Sequence, residues 1–250
     1  MAAAAERMEE EALAISRDLT GRDHRLTGRL RVTSSETLAY RLLTGLITTF
    51  REAHPGILVE LTIDNRVLSL SRREADIALR PVRPKESELW GRKLADVAWG
   101  LYASRHLAGD SPGALSAAQA VQELPLIGWD ETAAGIAAAA WLARAAPAEA
   151  FVYRTNSLIN QLTAARAGMG AALLPCYLGD PETDLVRLLP QPVAELAGEL
   201  WIVTHADLRR TGRIRAFFDL VGNGLAAEHD LFEGRTHGLS ELLKTDGSPE

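Results

Sequence analysis

From Gly28 onward the chain alternates short apolar runs of period two with longer runs of about 3.6-residue period, and that alternation confines it to an α/β architecture. Residues 30–35 (LRVTSS) begin with alternating apolar positions, and Leu38, Leu42, Leu43, Leu46, Ile47 and Phe50 then mark one face of a helix that ends near His54 and Pro55. Residues 57–63 (ILVELTI) form a second strand and residues 76–80 (DIALR) a third, followed by a Pro- and charge-rich loop from Pro81 to Glu88. Strands separated by crossover helices build a largely parallel sheet covered on both faces.

The theme then repeats. Residues 99–104 (WGLYAS) and 124–129 (LPLIGW), an Ala-rich helix over about 133–146, residues 151–155 (FVYRT), a helix over 157–167 and residues 170–175 (GAALLP) predict a second α/β unit. A strand at 200–205 (LWIVTH) and an amphipathic helix over 211–227, carried by Ile214, Phe217, Phe218, Val221 and Leu225, complete the pattern. The last 20 residues, 231–250, hold Gly234, Gly238, Asp246, Gly247 and Pro249 and read as a flexible tail.

Ahead of the sheets, residues 2–19 are rich in Ala, Glu, Leu and Arg, with neither Gly nor Pro before Gly21, and predict one uninterrupted helix. Ala5, Met8, Ala12, Ile15 and Leu19 form a heptad-like seam on it, while Glu6, Arg7, Glu9, Glu10 and Arg17 face water. Such a seam needs a partner surface. A helix of a second copy and the chain's own domain both satisfy that need, and periodicity leaves the two open.

Charge and cysteine content exclude several classes. With 27 Lys and Arg against 33 Asp and Glu the formal charge is −6, so the chain as a whole is not a basic nucleic-acid or membrane-surface binder. The single Cys176 excludes an internal disulfide framework and suits a reducing compartment, which makes the cytoplasm the expected location. Glu6, Glu9, Glu10 and Glu11 lie where a signal peptide needs its apolar core, and no apolar run approaches the roughly 20 residues that span a bilayer.

The most informative local features are two strand-to-helix turns. Val32-Thr33-Ser34-Ser35-Glu36-Thr37 and Tyr153-Arg154-Thr155-Asn156-Ser157 each place hydroxyl or amide side chains at the first turn of a helix, where free N–H groups and the helix dipole favour a carboxylate or phosphate. Taken singly, each turn reads first as ordinary N-capping. Asn65 after the second strand and Arg80 at the end of the third lie on the same carboxyl-end rim, where open α/β sheets bind ligands. Arg80 suits a bidentate contact with an anion, or equally an ion pair with Asp76 or Asp64. Trp129 suits either the wall of a cleft or the core.

Catalytic signals are poor. The six histidines make no metal-ligand spacing, no Gly-x-Ser-x-Gly elbow occurs, and Gly168-Met169-Gly170 precedes a strand and lacks the Lys of a phosphate loop. Cys176 follows Pro175 at a strand end with no His base identifiable beside it, and reads as a structural or cleft-lining thiol. No catalytic residues, no metal and no cofactor are expected.

In order and spacing, ERMEEEALAISRDLTG, GRLRV, FREAHPGILVEL, DIALRPV, WGLYAS, RTNSLINQLTAARAGMGAALLPCYLGD and LWIVTHADLRRTGRIRAFFDLV resemble the effector-binding region of LysR-type transcriptional regulators from about Arg7 to Ala227. The resemblance implies a fold like type 2 periplasmic binding proteins, with two α/β subdomains, two crossing strands near 99–103 and 200–205, and a small effector in the cleft. It implies a linker and dimerisation helix over 1–24, with Met8, Ala12, Ile15 and Leu19 in the seam. A first regulatory subdomain of 28–102 plus 204–228 and a second of 103–203 would follow. Carried over by motif, the effector contacts are Ser34, Ser35, Asn65 and Arg80 on one side, and Trp129, Asn156 and Ser157 on the other.

The family's winged helix-turn-helix is not represented, since Met1 falls inside the linker helix, and the chain by itself should not bind an operator. The expected function is therefore effector sensing within a homodimer or tetramer, reaching DNA only through that winged domain. The rivals are a transport receptor, a heterodimerising partner that silences full-length relatives, and an enzyme on the same two-lobed fold.

Overall fold

The computed structural model describes residues 25–63, 75–81, 83, 88–109, 117–133 and 135–235. The expected helix over 2–19 with its seam, Asn65, and the part of the expected tail beyond residue 235 lie outside the described residues.

Ten strands follow one another: β1 (Gly28–Ser34), β2 (Ile57–Ile63), β3 (Ile77–Arg80), β4 (Leu89–Val97), β5 (Trp99–Ser104), β6 (Leu126–Gly128), β7 (Phe151–Arg154), β8 (Ala171–Pro175), β9 (Leu185–Arg187) and β10 (Gly198–His205). They form two five-stranded sheets, ordered β2-β1-β3-β10-β4 and β7-β6-β8-β5-β9. In the first, β1 runs parallel to both β2 and β3, and β10 is antiparallel to β3. In the second, β6 runs parallel to β7 and β8, and β5 is antiparallel to β8 and β9. Each sheet thus has three parallel strands completed by an antiparallel strand that the chain delivers on leaving the other unit. This is the mixed α/β organisation that the alternating pattern predicts.

The described residues fall into two compact units, those within 1–95 and 199–227, and those within 96–198 and 228–250. The expected division placed residues 96–102 in the first subdomain, but β5 pairs from Trp99↔Pro175 through Ser104↔Leu185 within the second sheet. Conversely, β10 enters the first unit earlier than expected, pairing Trp201↔Arg80 through Thr204↔Ile77. Residues 231–235 are not loose: Phe232 is fully buried, its ring centroid 4.9 Å from that of Tyr177. One aromatic in a four-residue helix, His229–Phe232, is too short a run to show periodicity in the sequence.

Two strands escape the hydropathy pattern for physical reasons. β4 is an edge strand carrying Arg92, Lys93 and Asp96, and β9 is an edge strand of only three residues. Gly91 in β4 marks a close approach to β10: a Cβ there would stand 2.2 Å from the Ile202 carbonyl oxygen.

In the first unit the helical run after β1 comprises Glu36–Leu38, a π-type stretch Ala39–Leu43 and Thr44–Ala53. It stops where Pro55 requires, with His54 N–H donating to the Phe50 carbonyl at 2.9 Å. Leu38, Leu43 and Phe50 on this run are buried, as are Leu30, Val32, Ile57 and Ile202 of the sheet, and the Phe50 and Phe217 rings pack edge to face at 5.2 Å. The core of the second unit gathers Leu101, Leu126, Trp129, Leu142, Leu173, Val186 and Leu188. Phe50→Ala should therefore destabilise the domain by about 3–5 kcal/mol, measured by urea unfolding followed by far-UV circular dichroism. A change below about 1 kcal/mol would contradict this core assignment.

Candidate functional site

Parallel strands point their carboxyl ends the same way, so each unit presents a rim of strand-end residues. In the first unit, β1 and β3 are neighbours in register Val32↔Ile77 and Thr33↔Ala78, which sets the ends of the two strands, Ser34 and Arg80, on one rim. Arg80 is only 8% exposed and donates from its guanidinium to the Thr33 hydroxyl at 3.4 Å. Asp76 does not claim this cation through any described contact; its carboxylate accepts from the Arg31 backbone N–H at 2.8 Å and lies 3.5 Å from the Arg31 guanidinium. The Ser34 hydroxyl is fully buried and has no hydrogen-bond partner among the described residues. Ser35 occupies the N-cap of the following helix without capping through its side chain, and its Oγ lies 3.4 Å from that of Thr37.

A buried guanidinium beside hydroxyl groups at a strand end is a donor-rich, positively charged surface. A buried unpaired hydroxyl costs about 1–3 kcal/mol. Chemically, this rim suits an oxyanion.

The rim of the second unit has a different character. β6 and β7 end side by side, and Thr155 N–H donates to the Gly128 carbonyl at 3.1 Å. Gln161, fully buried on the helix Leu158–Arg166, donates from its amide to the carbonyls of Gly128 and Thr155, each at 3.3 Å. The Asn156 amide donates to the Thr132 hydroxyl at 3.1 Å, and Thr132 donates in turn to the Asp130 carboxylate. Ser157 is the N-cap of its helix, accepting from Asn160 N–H at 3.2 Å. Trp129 is buried in the core with its ring centroid 6.4 Å from that of Trp99, while its carbonyl accepts from Arg154 at 3.2 Å.

The fold therefore brings Ser34, Ser35 and Arg80 together on one rim, and Trp129, Asn156 and Ser157 together on the other. Thr33 lies in the first of the two turns read from the sequence, whereas Thr132 and Gln161, which hydrogen-bond on the second rim, were not singled out there. Gln161 had a readable signal: it is a polar residue on the buried side of an amphipathic helix, beside Leu162 and Ala165. Thr132 had none.

Among the described residues no group of three or more His, Cys, Asp or Glu side chains is arranged to hold a metal ion. Cys176 is fully buried, and burial pushes its thiol up to about 11 against the opposing pull of Arg187, so it is protonated at neutral pH.

A family model described as the LysR substrate binding domain matches residues 23–226. The HTH-type transcriptional regulator CrgA of Neisseria meningitidis is 27% identical over 232 residues, covering 88% of this chain and 76% of that protein. The solved structure of CrgA superposes with a TM-score of 0.69 at 23% identity over 88% of this chain and 76% of its own. The CrgA regulatory domain gives 0.65 at 25% identity, covering 81% of this chain and 99% of that one. The relatives are transcriptional regulators, and two α/β units of this topology are the fold they share with the chain. With 204 consecutive positions, 23 through 226, matched by the family model, the chain belongs to the LysR substrate-binding domain family.

Proposed function

We propose that this domain senses a small anionic metabolite at the strand-end rim of its first unit, and passes that state to DNA through a regulator's oligomer geometry. The observation that carries the proposal is the rim of the first unit, where buried Arg80 and the unpartnered hydroxyl of Ser34 lie at the ends of neighbouring strands. A carboxylate there would accept from both and remove the cost of the buried hydroxyl. Ser35 and Asn65 would add contacts from the same rim. Trp129, Asn156 and Ser157 are the contacts proposed on the second unit, where the Gln161 and Thr132 hydrogen bonds hold the loops that carry them.

The ligand shifts populations only through a difference in affinity between the arrangements of the domain, and that difference is the coupling energy to DNA. Contact with DNA belongs to a winged helix-turn-helix of the kind the family carries ahead of its linker helix. A formal charge of −6 offers no substitute for phosphate contacts. The domain acts in the cytoplasm, without a cofactor and without turnover. Among the described residues no helix is long and apolar enough to cross a membrane.

A panel of small carboxylates (acetate, benzoate, succinate and citrate), titrated by calorimetry, tests the reading. At least one should bind saturably and be recovered unchanged, and Arg80→Gln should weaken that binding about tenfold to a hundredfold, as loss of a charge-assisted contact of about 1.5–3 kcal/mol implies. Binding that is indifferent to Arg80→Gln would remove the anion assignment, and chemical conversion of the ligand would revive an enzymatic role.

The oligomer is expected to depend on the seam of the linker helix. Met8→Glu combined with Ile15→Glu should lower the mass measured by light scattering to that of a smaller assembly. An unchanged mass would place the pairing surface elsewhere.

A further inference from the structure

The segment that follows the last helix of the first unit, residues 228–235, closes over a polar cluster buried in the second unit. The Tyr102 hydroxyl donates to Asp180 Oδ1 at 2.7 Å, and Arg187, 3% exposed, donates from Nη2 to Asp180 Oδ2 and to the Gly234 carbonyl, the latter at 3.0 Å. The Arg187 guanidinium lies 5.9 Å from the centre of the Tyr102 ring. Cys176, fully buried, belongs to the same cluster. Gly234 sits directly on it: at φ +70°, an added Cβ would stand 2.8 Å from Cys176 Sγ and 2.8 Å from Arg187 Nη2. Only glycine satisfies both the left-handed backbone and the space.

The attachment is slight. The Ala98 N–H donates to the Phe232 carbonyl at 2.9 Å, Arg187 donates to Gly234, and the Phe232 ring packs against Tyr177. The ion pair between Asp230 and Arg235 is more than half exposed on both sides and adds little. Among the described residues, one buried ring and two hydrogen bonds hold the segment to the unit, and such a segment opens at a smaller free-energy cost than the β5-β8 pairing beneath it.

We propose that residues 228–235 form a releasable clasp that gates the Cys176 thiol, inert while the clasp is seated and open to soft electrophiles when it lifts. Lifting exposes the sulfur and relieves the burial that disfavours its thiolate. It also takes the Gly234 carbonyl from Arg187, leaving that cation beside the sulfur; Asp180 and Tyr102 are the other ionisable groups facing it. Both changes favour nucleophilic sulfur.

Cys176 is the chain's single cysteine, so alkylation reports this site alone. With iodoacetamide, the thiolate sulfur forms a bond to carbon, the carbon–iodine bond breaks, iodide leaves and the thiol proton passes to buffer. Intact mass measured over time on the full chain, in buffer and in urea below the unfolding transition, gives the rate. The wild type should label slowly, with little dependence on urea, as local opening requires. Gly234→Ala, which crowds the cluster, and Phe232→Leu, which loosens the anchor while keeping an apolar side chain, should each label about tenfold faster or more, with unchanged far-UV circular dichroism. Phe50→Ala, in the core of the first unit, should leave the rate in buffer within about twofold of wild type. Wild-type labelling that climbs with urea as steeply as global unfolding, or clasp variants that label no faster than wild type, would overturn the proposal.

Discussion

Everything at the candidate site depends on the antiparallel pairing of β10 with β3, matched in the other sheet by the pairing of β5 with β8. Three neighbouring parallel strands leave an edge at which a further strand can pair. In each unit that edge is closed by a strand the chain supplies as it arrives from the other unit. Closure has a local consequence for recognition. The register Trp201↔Arg80 fixes the last residue of β3 between β1 and β10, so its guanidinium is buried beside Thr33 rather than free on a loop. Gly91 permits the next strand to approach β10 closely enough to complete the sheet.

The two strand-end rims differ in how their polar groups are partnered. On the first, the buried Arg80 guanidinium donates to Thr33, and the buried Ser34 hydroxyl has no hydrogen-bond partner among the described residues. On the second, the polar side chains already answer one another: Asn156 with Thr132, Thr132 with Asp130, Gln161 with two strand-end carbonyls, and Ser157 with its own helix. Two buried atoms of this rim, Trp129 Nε1 and Gln161 Oε1, have no hydrogen-bond partner among the described residues, so each rim keeps buried polar groups that local structure does not answer.

The fold was legible in the sequence because periodicity reports burial, and burial defines sheets and helices here. Helix termination before Pro55 and the face carrying Leu38, Leu43 and Phe50 were readable residue by residue. Edge strands were not, since Gly91 and the adjacent pair Arg92-Lys93 break the period of β4, and β9 is too short for a period. At the site, strand-to-helix turns named Ser34, Ser35, Asn156 and Ser157, but not which of them is consumed by local structure. Ser35 and Ser157 hold the same N-cap position, and only Ser157 caps with its side chain. That difference lies in three-dimensional hydrogen-bond geometry, which spacing does not encode. Gly234 is the same lesson reversed: its place in a Gly-rich stretch suggested looseness, whereas a close approach to Cys176 and Arg187 is what demands glycine there.

The most direct test of the central claim is backbone amide chemical-shift mapping during titration with whichever panel carboxylate binds tightest. The account predicts that the largest shifts fall on Thr33–Thr37 and Arg80, with a second group at residues 128–132 and 155–161, and that the rest of both sheets stays nearly still. Shifts gathered elsewhere, with Ser34 and Arg80 silent, would contradict it.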